Sequence, residues 1–329
     1  MTHAAATTTS APRLPRLIDR GPCPLCAAPG PFPVAVAFRH IPVVRCTRCA
    51  MLHSARIMDA TDTAAYYRET FGSEFHRQGQ RVNAAVNAQV VTRLFRLAGL
   101  TGPQRILDVG CGYGYLLPRL RAMGHTVRGV EPSVGESAWA RERLGQSVRT
   151  GILDLSSPEC DPAPNGPGRF DAAVTFEVIE HIPTPGPFVQ ALAAAVRPGG
   201  LLIIGTDNFA SPVVDQFGPG FPKWIPHTHV CHFCPATLRR CIQSVPGLSP
   251  VGLLTYTPPE NALRALLRGG FPPPPAAHAF DLASHMAAEM QRGYPLFALR
   301  QAVTALWAGL TLSSSDRGSM MFLAARREA

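Results

Sequence analysis

The stretch Ile106-Leu107-Asp108-Val109-Gly110-Cys111-Gly112-Tyr113-Gly114 decides how this chain folds. Its first half is an apolar, partly β-branched run, the mark of a buried strand. Its second half places glycines at alternate positions, and a helical pattern follows. Without a Cβ the backbone can turn sharply there and come close to a ligand. A dinucleotide loop reads G-x-G-x-x-G and seats a pyrophosphate on the next helix N-terminus. Here the spacing is G-x-G-x-G, and Tyr115 stands where the third dinucleotide glycine would be. A pyrophosphate would also face the Asp108 carboxylate. Asp108 suits a ligand with positive charge, or with hydroxyl and amine donors.

A second hydrophobic run, Thr126-Val127-Arg128-Gly129-Val130, closes on Glu131. An acid at that place can accept both hydroxyls of a ribose. Loop and acid together point to a nucleoside without phosphates, bound beside a cation. S-adenosylmethionine, a sulfonium with an amino group, answers that description. At this point the chain resembles the class I S-adenosylmethionine-dependent methyltransferases. The matching residues are Asp108 to Gly114, Glu131, Arg169-Phe170-Asp171-Ala172-Ala173-Val174, Glu177-Val178-Ile179-Glu180-His181-Ile182 and Arg197-Pro198-Gly199-Gly200, in that order. The resemblance implies an α/β fold with a doubly wound, mostly parallel seven-stranded sheet whose last strand is antiparallel. It also implies cofactor contacts. Gly110, Gly112 and Gly114 would lie along the methionine part, Asp108 would orient the loop, and Glu131 would hold the ribose. Asp154 and Glu177 complete that set.

The 329 residues, 46% of them hydrophobic, allow one large domain with attachments or two domains. No apolar run approaches the ~18 residues needed to cross a membrane. Residues 1–20, rich in Ala, Thr and Pro, lack a signal-peptide core and read as a disordered tail. A cytoplasmic protein with no integral membrane association is expected. The net charge of +9 invites an RNA substrate. Against that, Lys223 is the only lysine, and the arginines are spread without a dense run, as a GC-rich coding bias would leave them.

Nine cysteines in such a compartment argue for metal or packing rather than disulfides. Cys23-Pro24-Leu25-Cys26 and Cys46-Thr47-Arg48-Cys49 form two C-x2-C knuckles able to supply four thiolates to one ion. Short strands are expected between them at Val34 to Phe38 and Ile41 to Arg45. The reading is a zinc ribbon over 21–57, too small to fold on a core alone. With Cys23, Cys26, Cys46 and Cys49 as ligands, its single zinc would be structural. Bacterial methyltransferases of this class look similar in carrying such a ribbon before a Tyr-Tyr element, here Tyr66-Tyr67.

A helical lead-in over 58–101 carries apolar positions Val82, Val86, Val90, Leu94 and Leu97 at helical spacing. The methyltransferase domain would span 102–329. Strands are expected near 105–109, 126–131, 147–150, 170–176, 200–206, 249–256 and 319–326. Helices are expected near 113–123, 133–145, 186–196 and 235–244. Residues 258–316 interrupt the core, with helical stretches near 280–292 and 296–312. They read as a helical cap over the substrate pocket or as a homodimer face, with a membrane-surface role as the sharper reading.

Methyl transfer needs an aligned acceptor and a group to take its proton. Glu177, Glu180 and His181 follow a strand, where open α/β sheets bind ligands. The motif resembles the E-x-x-E-H stretch of ubiquinone-pathway O-methyltransferases, which implies that Glu177, Glu180 and His181 could hold Mg²⁺; a packed framework histidine is the bland alternative. The segment Pro226 to Cys234 holds His227, His229 and His232 with Cys231 and Cys234. Related enzymes have a histidine-rich stretch here bordering the acceptor. If extended, its side chains would alternate between two faces, which argues against a second metal. His181, His227 and His229 are therefore the candidate bases. The expected function is O- or C-methylation of a small-molecule acceptor of sugar, quinone or secondary-metabolite type. A ribosomal RNA methyltransferase with a zinc ribbon and a non-catalytic S-adenosylmethionine-binding scaffold are the alternatives.

Overall fold

The computed structural model describes residues 15–38, 40–70, 74–153, 169–267 and 296–328. Asp154, the expected helix near 280–292 and the first part of the N-terminal tail lie outside these. The N-terminal part contains β1 (Leu17–Asp19), β2 (Val34–Val36), β3 (Val43–Arg45), β4 (Leu52–Ser54), β5 (Arg56–Met58) and α1 (Ala60–Ala65). A π-helical turn, Tyr66–Thr70, leads to α2 (Glu74–Leu97). The core follows as β6 (Arg105–Val109), α3 (Leu116–Ala122), β7 (Thr126–Glu131), α4 (Val134–Leu144), β8 (Val148–Thr150), β9 (Phe170–Phe176), α5 (Pro185–Ala195), β10 (Val196–Asp207) and α6 (Pro212–Phe217). Next come β11 (Cys231–His232), α7 (Pro235–Gln243), β12 (Leu248–Tyr256), α8 (Pro259–Leu267), α9 (Phe297–Thr311) and β13 (Met320–Arg327).

The main sheet has seven strands in the order β12-β13-β10-β9-β6-β7-β8. Strand β13 runs antiparallel to both neighbours, and the other pairings are parallel. Side-chain alternation divides its residues between two faces. Ile106, Leu201 and Ile203 pack with Val86, Val90 and Leu94 of α2, Leu117 of α3 and Ala308 of α9. Leu107, Leu202 and Ile204 pack with Val189 of α5 and Leu238 of α7 on the other side. Parallel strands buried on both faces account for the near-continuous apolar runs in the sequence. Leu97, expected on the buried stripe of α2, is instead 60% exposed, because the helix ends there and the chain turns away through Gly99.

The ribbon joins the core more closely than its sequence boundaries suggest. Its sheet has the order β11-β4-β3-β2, so its fourth strand comes from residues 231–232 of the core. Phe38, Val43 and Leu52 of the ribbon pack with Phe209, Phe217, Phe221 and Trp224. The segment 227–233 is buried on both sides rather than alternating, because it is sandwiched between ribbon and sheet. Of the expected cap, α9 lies along α2: Arg93 donates to the Gly309 and Leu312 carbonyls at 2.5 and 2.8 Å. No helix among the described residues is long and apolar enough to cross a membrane.

Candidate functional site

Strand β6 sits between β7 and β9, so the glycine loop leaves the sheet at the carboxyl ends of its central strands, where open α/β sheets bind ligands. Gly110 and Gly112 hold φ of +75° and +55°, values that side chains with a Cβ rarely adopt. A Cβ at Gly110 would run into Val178, and one at Gly112 into the Gln80 amide. Gln80 reaches across from α2: its Oε1 accepts from the Tyr113 N–H at 2.9 Å, and its Nε2 donates to both Glu136 oxygens at 3.2 and 3.3 Å. Glu131 accepts from the Gly112 N–H at 2.8 Å and the Ser133 N–H at 2.7 Å. The loop amides are thus held by Glu131 and Gln80, whereas the sequence reading gave that task to Asp108.

Asp108, Glu131 and Glu136 are all buried, and none joins an ion pair among the described residues. Burial, with the charge of Glu131 added, pushes Asp108 and Glu136 up to about 8. Burial also raises Glu131, against the pull of its two amide donors. Three close carboxyls without a cation suit a ligand that brings its own positive charge and hydroxyl donors. The donor set therefore fits S-adenosylmethionine.

The expected bases lie beyond the ends of β9 and β10. Glu180 and His181 occupy a 3₁₀ turn, Ile179–His181, directly after β9. Nδ1 of His181 is 2.9 Å from the Tyr67 hydroxyl and 3.0 Å from the Thr228 carbonyl. A carbonyl can only accept, so we assign the hydrogen to Nδ1, which leaves the lone pair on Nε2. The His229 ring packs edge-on against His181 at 4.7 Å, with its Nδ1 3.7 Å from Oδ2 of Asp207. Burial lowers His181 to about 4 and His229 well below its ordinary value, so both rings are neutral at physiological pH. His227 packs edge-on to Tyr66 at 6.2 Å. It lines a small cavity with His181, Tyr67 and Thr228.

Glu180 is fully buried, with Oε2 accepting from the Thr206 hydroxyl at 2.8 Å. The set Glu177, Glu180 and His181 expected for Mg²⁺ does not converge. The atoms that meet within 4.8 Å belong to Glu180, His181 and His229. Glu177, at a φ of +55°, turns its carboxylate to Lys223 Nζ at 3.1 Å and Asn83 Nδ2 at 3.5 Å. This sets the Glu177 carboxylate beside Lys223 rather than among the acids at the glycine loop. Sequence reasoning missed Gln80, Glu136, Asp207 and Lys223. The signal for Lys223 was its being the only lysine in an arginine-rich chain.

In the ribbon, Cys23, Cys26, Cys46 and Cys49 offer sulfurs that all lie within 4.8 Å of one another. Sγ of Cys23 is 3.5 Å from that of Cys49, and Sγ of Cys26 is 3.6 Å from that of Cys46. A tetrahedral zinc with ~2.3 Å bonds has sulfur–sulfur edges of about 3.8 Å. The knuckles are twins. Ala27 N–H donates to the Cys23 carbonyl and Ala50 N–H to the Cys46 carbonyl, each at 2.9 Å. Ala27 and Ala50 take the same left-handed conformation, φ +54° and +62°. Burial raises Cys23 and Cys49, while for Cys26 the Ala28 amide, the other cysteines and Arg48 outweigh burial and bring it down to about 6. The donor set fits zinc.

A model of the family described as "Methyltransferase domain" matches residues 75–245. The chain is 38% identical over 105 residues to a ubiquinone biosynthesis O-methyltransferase of Thiobacillus denitrificans, covering 32% of this chain and 45% of that protein. It is 35% identical over 172 residues to a protein of the same name from Aromatoleum aromaticum, covering 50% of this chain and 72% of that one. It thus spans about half the length of the first relative. Among solved structures it is similar to an S-adenosylmethionine-dependent methyltransferase, possible histamine N-methyltransferase, from Thermotoga maritima. That likeness has 16% identity and a TM-score of 0.45, and covers 77% of this chain and 96% of that one.

Proposed function

The chain belongs to the methyltransferase-domain family, and on that premise we propose that it moves the methyl group of S-adenosylmethionine to a hydroxyl oxygen of a small, quinone-type aromatic acceptor. The cofactor supplies an activated methyl group for in-line displacement. The chain aligns the acceptor and takes its proton. Asp108, Glu131 and the turn at Gly110, Gly112 and Gly114 hold the donor. The Cys23, Cys26, Cys46 and Cys49 set holds one structural zinc.

The observation that carries the reading is the neutral imidazole pair His181 and His229. A neutral ring with a free nitrogen near the carboxyl ends of β9 and β10 is what a general base requires, and for His181 the tautomer is also fixed. His181, with Nδ1 occupied by Tyr67 and Thr228, is the first candidate, and His229 beside Asp207 is the second. The names of the two curated relatives support oxygen as the acceptor atom and a quinone-type ring as its carrier. An assay with methyl-labelled S-adenosylmethionine against ortho-dihydroxybenzenes, sugars, amines and RNA tests this. A labelled aryl methyl ether is expected. Label found only in amines, in RNA or on carbon would overturn it.

A further inference from the structure

The acid cluster beyond β9 and β10 lacks the donors that Mg²⁺ needs. That ion takes near-octahedral oxygen ligands and keeps several waters. Here the converging atoms are one carboxyl oxygen of Glu180 and two imidazole nitrogens. The Glu177 carboxylate, which would have to turn inward, is already held by Lys223 and Asn83. A cation is nevertheless present. Nζ of Lys223 lies 3.1 Å from Oε1 of Glu177 and 4.0 Å from Oδ2 of Asp207. Asp207 is buried, whereas the Lys223 and Glu177 side chains are each about a third exposed, so this pair borders the protein surface.

We propose that the Lys223 ammonium is the built-in cation of the acceptor site: it stands where a divalent ion would be expected and receives the acceptor oxygen as that oxygen loses its proton. The second half of this rests on the O-methylation reading; the first half does not. Residue type supports it. Among 31 basic residues Lys223 alone is a lysine. An arginine fork would commit two parallel N–H groups to Glu177, while a compact ammonium has three donors to distribute. With one donor on Glu177 and another toward Asp207, a third is left for an incoming oxygen. Placement supports it too. Lys223 is fixed by neighbours on the ribbon-facing cluster, Phe221 and Trp224, so the charge sits on a packed segment. In the transfer, the acceptor O–H bond breaks and its proton goes to an imidazole. The oxygen's electron pair forms the new O–C bond, and the electrons of the broken C–S bond stay on sulfur.

The test is Mn²⁺ titration followed by electron paramagnetic resonance on the zinc-loaded 329-residue chain, with total metal analysis. The wild type should leave the spectrum of aqueous Mn²⁺ unchanged to millimolar concentration and contain one zinc per chain. Lys223→Met should gain a bound Mn²⁺ signal, and Lys223→Arg should not. A stoichiometric Mn²⁺ site or a second transition metal in the wild type would overturn the proposal, even where Lys223→Met does not fold. On an ortho-dihydroxybenzene, Lys223→Met should lower kcat on the order of 10²-fold, as loss of an oxyanion donor does. An unchanged kcat would remove Lys223 from the acceptor oxygen while leaving the O-methylation reading standing.

Discussion

The donor and acceptor sides of the site are built in different ways. On the proposed donor side, the hydrogen-bonding residues described come from one stretch of chain, from Asp108 through Glu131 to Glu136, joined by Gln80 of α2. On the acceptor side Tyr67, Glu177, His181, Asp207, Lys223 and His229 arrive from separate segments. The ribbon underlies this second group. Strand β4 pairs with Cys231 and His232, and the Ser54 hydroxyl donates to the Pro226 carbonyl at 2.8 Å. Arg20 donates to the carbonyls of Pro183 and Val230 and to the Cys231 sulfur. On the proposed function, a nucleoside cofactor is recognised by one local motif and the acceptor by the assembled fold.

The largest effect should come from the ribbon, and it should split the two sides. Structural zinc contributes an apparent ~10–16 kcal/mol in isolated fingers, so Cys46→Ser or strong chelation should unfold the ribbon. Turnover should vanish, while calorimetry should show S-adenosylhomocysteine binding within about threefold of wild type, since the donor residues belong to the core. Loss of both together would show that the two sides fold as one unit. Next in size is Glu131→Ala, which removes the acceptor of two backbone amides and, on the proposed function, of the ribose. Binding of S-adenosylmethionine should weaken by about 10²-fold, at roughly 1.4 kcal/mol per tenfold and 1–3 kcal/mol for each unsatisfied buried group. His181→Ala should do the reverse. It should lower kcat by about 10²-fold or more with cofactor affinity unchanged, and a comparable loss in His229→Ala alone would move the base to that ring.

The same division explains what could be read before the fold was known. Gly110 to Gly114, Glu131 and the Cys-x2-Cys knuckles announce themselves because the chemistry needs close spacing along the chain. The strand and helix positions of the core followed from apolar periodicity, which two buried faces impose. Lys223 and Asp207 could not be paired that way, because only the packing of Phe221 and Trp224 against Phe209 and the ribbon brings residue 223 to the end of β10. Strand β11 is two residues long, below any sequence period, and its neighbours are buried on both faces because the ribbon covers one of them.

Protonation gives a smaller contrast. The raised Asp108 and Glu136 favour the folded state when protonated, so their contribution is full only below their unfolded values of 3.8 and 4.5 and is lost as pH rises through about 8. The buried histidines contribute above their unfolded value of 6.5 and lose that contribution only as pH falls toward 4. Between pH 7 and 8, among the described residues, four raised acids, Asp108, Glu136, Glu180 (about 8) and Asp207 (about 7), lower stability as pH rises, against Cys26 alone, which is lowered to about 6 and pulls the other way. The unliganded protein should therefore melt at lower temperature at pH 8 than at pH 7. S-adenosylmethionine, which brings positive charge, should bind more tightly at the higher pH. A flat affinity profile would mean that the three acids ionise together well below neutrality.

The smallest effect distinguishes two candidate bases. Tyr67→Phe removes the hydroxyl 2.9 Å from Nδ1 of His181 but leaves the Thr228 carbonyl at 3.0 Å to hold the same tautomer. If His181 takes the proton through Nε2, only one of two restraints on its ring is lost. The expected cost is about 1 kcal/mol, a roughly fivefold lower kcat. Cofactor affinity should stay constant, because the Tyr67 hydroxyl, on the π-helical turn before α2, is directed at His181. A fall of two orders of magnitude would instead make the Tyr67 oxygen the proton acceptor, with His181 as the group that positions it.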